Sequence, residues 1–160
     1  EAQIKRYLEL GCTTLHFDAH HHAHLVGRMI RPVFAVARRY GFVSVRKPVD
    51  VAIRPKLKSR IYYPCEQFVK RLLMHPFGFV STDHMGEFAG FRAHYDSLKG
   101  DYSMELMVHP VYLDKHGRPD MKGELIDSWT RPMSEIIHFI RRHADEISLV
   151  SFKDLQEVVM

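Results

Sequence analysis

Nowhere in this 160-residue chain is there a run of about 18 uninterrupted apolar residues, so it contains no hydrophobic segment of membrane-spanning length. Cysteine is scarce, with Cys12 and Cys65 alone. Two thiols make neither a disulfide framework nor a Cys-x-x-Cys knuckle, and free thiols fit a reducing, cytoplasmic setting. The chain has no Gly-x-Gly-x-x-Gly, no phosphate loop and no Gly-x-Ser-x-Gly. Nucleotide-cofactor and serine-hydrolase chemistry therefore lack support. Repeats of fixed period and low-complexity tracts are missing too, which argues against solenoids and disordered linkers. Charge of one sign is barely in excess: 23 Lys and Arg stand against 19 Asp and Glu, a net +4. These bases are scattered, apart from Arg54, Lys56, Lys58 and Arg60, and no aromatic–basic ladder accompanies them. The expectation is a protein with neither a nucleic-acid nor a membrane partner.

What remains is ordinary in bulk. A hydrophobic content of 46% is enough for one core, so residues 1–160 read as a single domain. Along the chain, helical and extended patterns alternate. Ile4, Tyr7, Leu8 and Leu10 form a helical stripe stopped by Gly11. Strands are expected at Cys12–Phe17, Phe42–Arg46, Gly78–Ser81, Met104–Val108 and Ile147–Val150. Helices are expected at Met29–Tyr40, with Pro32 in its first turn and Val33, Val36 and Ala37 inward, at Cys65–Met74, at Glu87–Leu98 and at Met133–His143. A short last helix would cover Lys153–Val159. Long loops fill 47–62 and the stretch from Val108 to Trp129. Strand followed by helix, five times over, predicts an α/β fold with parallel strands. Five such units are an open sheet or part of a (β/α) barrel, because a closed eight-fold barrel needs roughly 250 residues.

The polar residues then stand out by position. His16-Phe17-Asp18-Ala19-His20-His21-His22-Ala23-His24 puts His16, Asp18, His20, His22 and His24 on alternate positions. In an extended strand these side chains share one side. Imidazole and carboxylate are the ligands of Zn, and carboxylate suits Mg, while both groups move protons near neutral pH. The bland alternative is one structural histidine in a solvated loop. His16, deeper in the strand, reads equally as a hydrogen-bonded core histidine, and His21 lies off the alternate set. His109 ends the apolar strand Glu105-Leu106-Met107-Val108 and reads as a general acid or a structural cap. Arg46 would bind a substrate oxygen or pair with a carboxylate. Asp83 and His84 follow the third expected strand. Arg131 and Glu135 read as a surface ion pair. Since active sites of parallel α/β folds lie at the carboxyl ends of strands, metal-assisted hydrolysis is the economical reading.

These segments resemble the YdjC-like carbohydrate deacetylases, which include the chitooligosaccharide (chitin disaccharide) deacetylases. Leu15 to His24 is similar to that family's Thr-His-x-Asp-Ser-His-x-His-x-His signature. Glu105-Leu106-Met107-Val108-His109-Pro110 resembles its Glu-Leu-Met-x-His-Pro-Gly segment. Val45-Arg46-Lys47-Pro48, Asp83-His84-Met85-Gly86, Arg131 with Glu135, and Ile147 to Phe152 agree in order. The resemblance implies a distorted (β/α) barrel, here a partial one of about five units. It implies a divalent metal, Mg or Zn, and hydrolysis of N-acetyl groups from acetylated amino-sugar oligosaccharides. Carried over by position, His20 and His22 are the metal ligands, Asp18 and His109 are catalytic, with His109 protonating the leaving amine, and Arg46, Asp83 and His84 line the substrate pocket.

The chain departs from that pattern in two ways. The family's early strand ending in Asp-Asp-x-Gly and a second early histidine strand have no counterpart here, and Val111 replaces the glycine after His109-Pro110. The resemblance thus implies the carboxyl-terminal portion of a deacetylase, holding part of a metal site and inactive by itself, with open sheet edges that favour a homodimer. Two other classes stay open: another barrel metallohydrolase, such as an amidohydrolase or phosphoesterase, and a non-catalytic assembly module.

Overall fold

The structure, a computed structural model, describes residues 1–51, 65, 68–70, 72–116, 120–127 and 132–154. The basic cluster at 54–60, Arg131 and most of the expected last helix lie outside these residues.

Helix α1 (Ala2–Glu9) ends where Gly11 takes a left-handed φ of 76°. Strand β1 is His16–Phe17 and β2 is Ser44–Val45, paired parallel in the register His16 with Ser44. Between them runs α2 (Gly27–Arg39). Its buried stripe is Ile30, Phe34 and Ala37, spaced for one helix face. The helix starts two residues before Met29, so Pro32 falls in its second turn, and Phe34 rather than Val36 is the residue that plugs the core. Strand β3 (His84–Glu87) pairs parallel with β4 (Met104–Met107), with α3 (Phe88–His94) between. After β4 the rhythm changes: β5 (Pro110–Leu113) and β6 (Glu124–Asp127) form an antiparallel hairpin, followed by α4 (Met133–Arg142). Parallel single bridges join Ser44 to Val80 and Val51 to Gly86.

The fold is α/β with small sheets, each of two strands among the described residues. Several expectations are corrected. The strand expected at Cys12–Phe17 is confined to its last two residues, and Gly78–Ser81 contributes a single bridge at Val80. Ile147–Val150 forms no strand: none of the described residues pairs with it, and Leu149 and Val150 are exposed. Conversely, β3 lies in an expected loop and β5–β6 in another. Five regular strand–helix units are therefore not what the described residues display.

Two apolar clusters hold these elements. One gathers Leu25, Ile30, Phe34, Val45 and Met74, and the other Phe88, Phe91 and Ile136. In each, a helix stripe meets the strand beside it, so burial is shared between local and distant partners. Gly86 shows how tightly β3 is approached: a Cβ there would overlap the Val51 carbonyl oxygen. Gly86→Ala is expected to destabilise the protein by about 1–3 kcal/mol, read from urea unfolding, since the Val51 backbone must give way.

Candidate functional site

The histidine-rich stretch does not continue as a strand. After Phe17 the chain turns, with Asp18 Oδ1 accepting the Ala19 N–H at 2.6 Å. Residues His20–Leu25 then form a tight 3₁₀ segment in which His21 and His22 have left-handed φ values of 52° and 53°. Such a conformation is uncommon for residues other than glycine, although histidine, like asparagine and aspartate, adopts it more readily than most. The turn, not a β pleat, therefore decides where each imidazole goes.

The outcome differs for every histidine. His24 is buried, its ring set against Phe17 and Phe34. Its Nε2 lies 3.1 Å from the Arg46 carbonyl. A carbonyl only accepts, so Nε2 carries the hydrogen and Nδ1 presents its lone pair, 3.9 Å from Asp18 Oδ1. His16 pairs Nδ1 with Ser44 Oγ at 3.1 Å and stacks on Phe152 at 3.5 Å. It is the hydrogen-bonded core histidine of the two readings. His22 is half-buried, and its Nδ1 is buried without a hydrogen-bond partner. His20 is exposed, its ring 4.0 Å from that of His21. Burial lowers the pKa of His16 to about 4, with Arg46 adding to the effect. Burial also lowers His22 and His24, so all three are neutral at pH 7. His109, two residues beyond β4, is half-buried and close enough to His22 to oppose its protonation.

Asp18 and Arg46 emerge at the same end of the parallel β1–β2 pair, and β4 presents Glu105 toward them. Arg46 Nη1 lies 2.5 Å from Asp18 Oδ2, and Arg46 Nε donates to Glu105 Oε1. One guanidinium thus joins two carboxylates. Glu105 is the residue the sequence reading passed over. Burial raises its pKa, while Arg46 pulls it back. The available signal was a carboxylate in the middle of Met104-Glu105-Leu106-Met107-Val108, because a buried charge requires a partner.

Asp83 and His84 belong to a second group. The Asp83 carboxylate accepts from Ser103 N and Oγ, both at 2.8 Å, and these bonds lower its pKa. His84 Nδ1 stands 3.4 Å from Asp50 Oδ2, which also receives Lys47 Nζ at 2.8 Å. Lys47 donates in addition to the Asp83 carbonyl. Burial pushes Asp50 up, but the bonds from Lys47 and the Met85 amide outweigh it and leave its pKa lowered. Lys47, Phe79, Thr82 and Asp83 line a cavity of about 310 Å³ with Met74 and His75. The structure thus brings Asp18, Arg46, His22 and His109 together, with His24 and Glu105, while Asp83 and His84 form a separate group around Lys47. Glu135 pairs with Arg92, and its expected pairing with Arg131 lies outside the described residues.

Among the described residues no group of three His, Cys, Asp or Glu side chains is placed to hold a metal ion. Asp18, the carboxylate nearest the histidines, is already committed to Arg46. The described residues do not fit a complete metal centre by themselves, since catalytic sites use three protein ligands.

Fold and site define an α/β protein with a carboxylate–guanidinium–imidazole centre at the carboxyl ends of parallel strands. The chain belongs to the YdjC-like family, whose model, described as YdjC-like protein, matches residues 1–148. A carbohydrate deacetylase of Listeria monocytogenes serotype 4a is 25% identical over 162 aligned positions, covering 96% of this chain and 57% of that protein. Carbohydrate deacetylases of Vibrio campbellii and Vibrio parahaemolyticus are 31% and 32% identical over 72% of this chain and 39% of theirs. The chain thus spans about half the length of the curated relatives it matches. No solved structure matches it significantly. The described residues include no helix long and apolar enough to cross a membrane, and Cys12 and Cys65 are free thiols.

Proposed function

We propose that this chain forms one wall of the active site of a cytoplasmic carbohydrate deacetylase acting on the N-acetyl groups of amino-sugar oligosaccharides such as chitooligosaccharides. Its relatives named carbohydrate deacetylase support the reaction class. The observation that carries the residue assignment is the gathering of Asp18, Arg46, His22 and His109 where β1, β2 and β4 end. In this reading water attacks the acetyl carbonyl carbon and Asp18 accepts its proton. The carbon–nitrogen bond then breaks, His109 protonates the departing amine, and acetate leaves. Arg46, Asp83 and His84 frame the sugar site, and the cavity floored by Phe79 and Lys47 offers an apolar face with a nearby cation. His20 and His22 would be two ligands of a divalent metal, Mg or Zn. The buried, unbonded Nδ1 of His22 supports that role, which a carbonyl-polarising ion would use.

The test is acetate release from N-acetylated chitooligosaccharides by the full-length gene product with added Mg or Zn. Folded protein that releases acetate from none of several N-acetylated sugars sinks the proposal, and a parallel screen of phosphate esters separates it from a phosphoesterase. The 160-residue chain alone is expected to release none, because it offers two metal ligands where a catalytic centre uses three. His22→Ala is expected to reduce release by at least roughly 100-fold.

A further inference from the structure

We propose that Glu105 is a positioning residue for this reaction: from inside β4 it holds the Nε edge of Arg46 and so sets the place and the net charge of Asp18. The inference rests on the reading of Asp18 as the proton acceptor.

Three observations carry it. First, exposure rises outward along the chain of contacts. The Glu105 side chain is 6% exposed, Arg46 20% and Asp18 31%. The innermost member is locked by packing, the outermost faces the open end of the strands, and the planar guanidinium between them transmits position. Second, the charges do not balance. One cation stands between two carboxylates, a net of −1 when both are ionised. A lone Asp18–Arg46 pair would be neutral. By occupying Nε, Glu105 leaves Asp18 an uncompensated share of negative charge. Third, the arrangement is a poor choice for stability alone. A buried ion pair does no better than apolar residues of the same volume, because removing charges from water offsets their attraction. β4 is otherwise apolar, so Glu105 is the exception in its own strand.

The experiment compares Glu105→Gln, Asp18→Asn and the wild type in the full-length gene product, with acetate release and urea unfolding as readouts. Gln keeps the shape and the acceptor oxygen for Arg46 Nε and removes only the charge. Glu105→Gln is expected to fold, to lose about 10- to 100-fold in kcat, and to keep KM within roughly twofold. A merely structural role would lower the urea midpoint and leave kcat per folded molecule unchanged, and that result overturns the inference. So does a raised KM with kcat intact, which would make Glu105 part of substrate binding. If Glu105→Gln does not fold, Glu105→Asp carries the same test, since it keeps the charge and withdraws it from Arg46 by one methylene; wild-type kcat in that variant overturns the inference. Asp18→Asn separates the two levels. Retained activity there removes the reading of Asp18 and the inference with it, whereas an inactive Asp18→Asn beside a fully active Glu105→Gln removes the inference alone.

Discussion

Arg46→Met is expected to destabilise the protein by about 3–5 kcal/mol and to abolish acetate release, the largest effect of any single substitution in the site. Methionine fills much of the same volume, so the loss is electrical. Glu105 is 7% exposed and Arg46 is its ion partner. Without the guanidinium, a carboxylate already pushed up by burial has nothing to offset that burial. It can escape only by taking a proton. The sign of the pH dependence follows. A carboxyl whose folded pKa is raised contributes stability that is present below its unfolded value and is lost as pH rises through the folded value. Removing Arg46 raises Glu105 further, so the deficit of Arg46→Met should be small near pH 4 and grow toward pH 8. Urea unfolding at the two pH values checks this. The double variant Arg46→Met/Glu105→Leu is expected to recover most of the stability and none of the activity. Equal deficits at both pH values would mean that the guanidinium matters through packing and not through charge.

Acidification should weaken the fold between about pH 6.5 and 4. His16, His22 and His24 all have folded pKa values depressed by burial, that of His16 to about 4 from an ordinary 6.5. A depressed histidine contributes stability that is present above its unfolded pKa and lost as pH falls through the folded one. For His16 alone a displacement of that size corresponds to about 3 kcal/mol. Glu105 works in the opposite direction, and Asp50 and Asp83, both lowered, lose their contributions only below their ordinary value of 3.8. Three histidines outweigh one glutamate, so the net slope is a loss of stability toward acid. His16→Phe keeps a ring on Phe152 and removes the titrating nitrogens. It should flatten the dependence of the thermal midpoint on pH between 6.5 and 4, and an unchanged slope would locate the acid sensitivity elsewhere.

How far the fold was legible varies with the kind of signal. β4 and α4 could be read because Met104–Val108 is a continuous apolar run and Ile136 and Ile140 share a helix stripe. α2 could be read in outline, but its start and its central residue could not, since Val36 and Phe34 are both apolar and only packing distinguishes them. β3 was hidden because His84-Met85-Gly86-Glu87 has little β preference. It is a strand because Met104–Met107 pairs with it and Gly86 lets Val51 come close. Ile147–Val150 shows the converse, a largely apolar segment with no strand partner among the described residues. In the site, residue types and strand ends were visible in the sequence, and pairings were not. Alternation predicted one common face for His16 to His24, but two left-handed residues broke the period. The contacts of Arg46 with Asp18 and Glu105 depend on how β1, β2 and β4 are set side by side, which the sequence does not spell out.

Arg46 is also two things at one address. Its carbonyl fixes the tautomer of His24, and its guanidinium holds Asp18 and Glu105. Mutagenesis reaches only the second: Arg46→Met removes the cation and leaves the carbonyl where it was. Displacing β2 reaches both at once. Substitutions at Val45 or Ser44, which form β2 just before Arg46, should therefore be non-additive with substitutions at His24 and at Asp18 alike, the first held by the Arg46 main chain and the second by its side chain. The unit that variation must preserve at this position is a strand end, not a side chain.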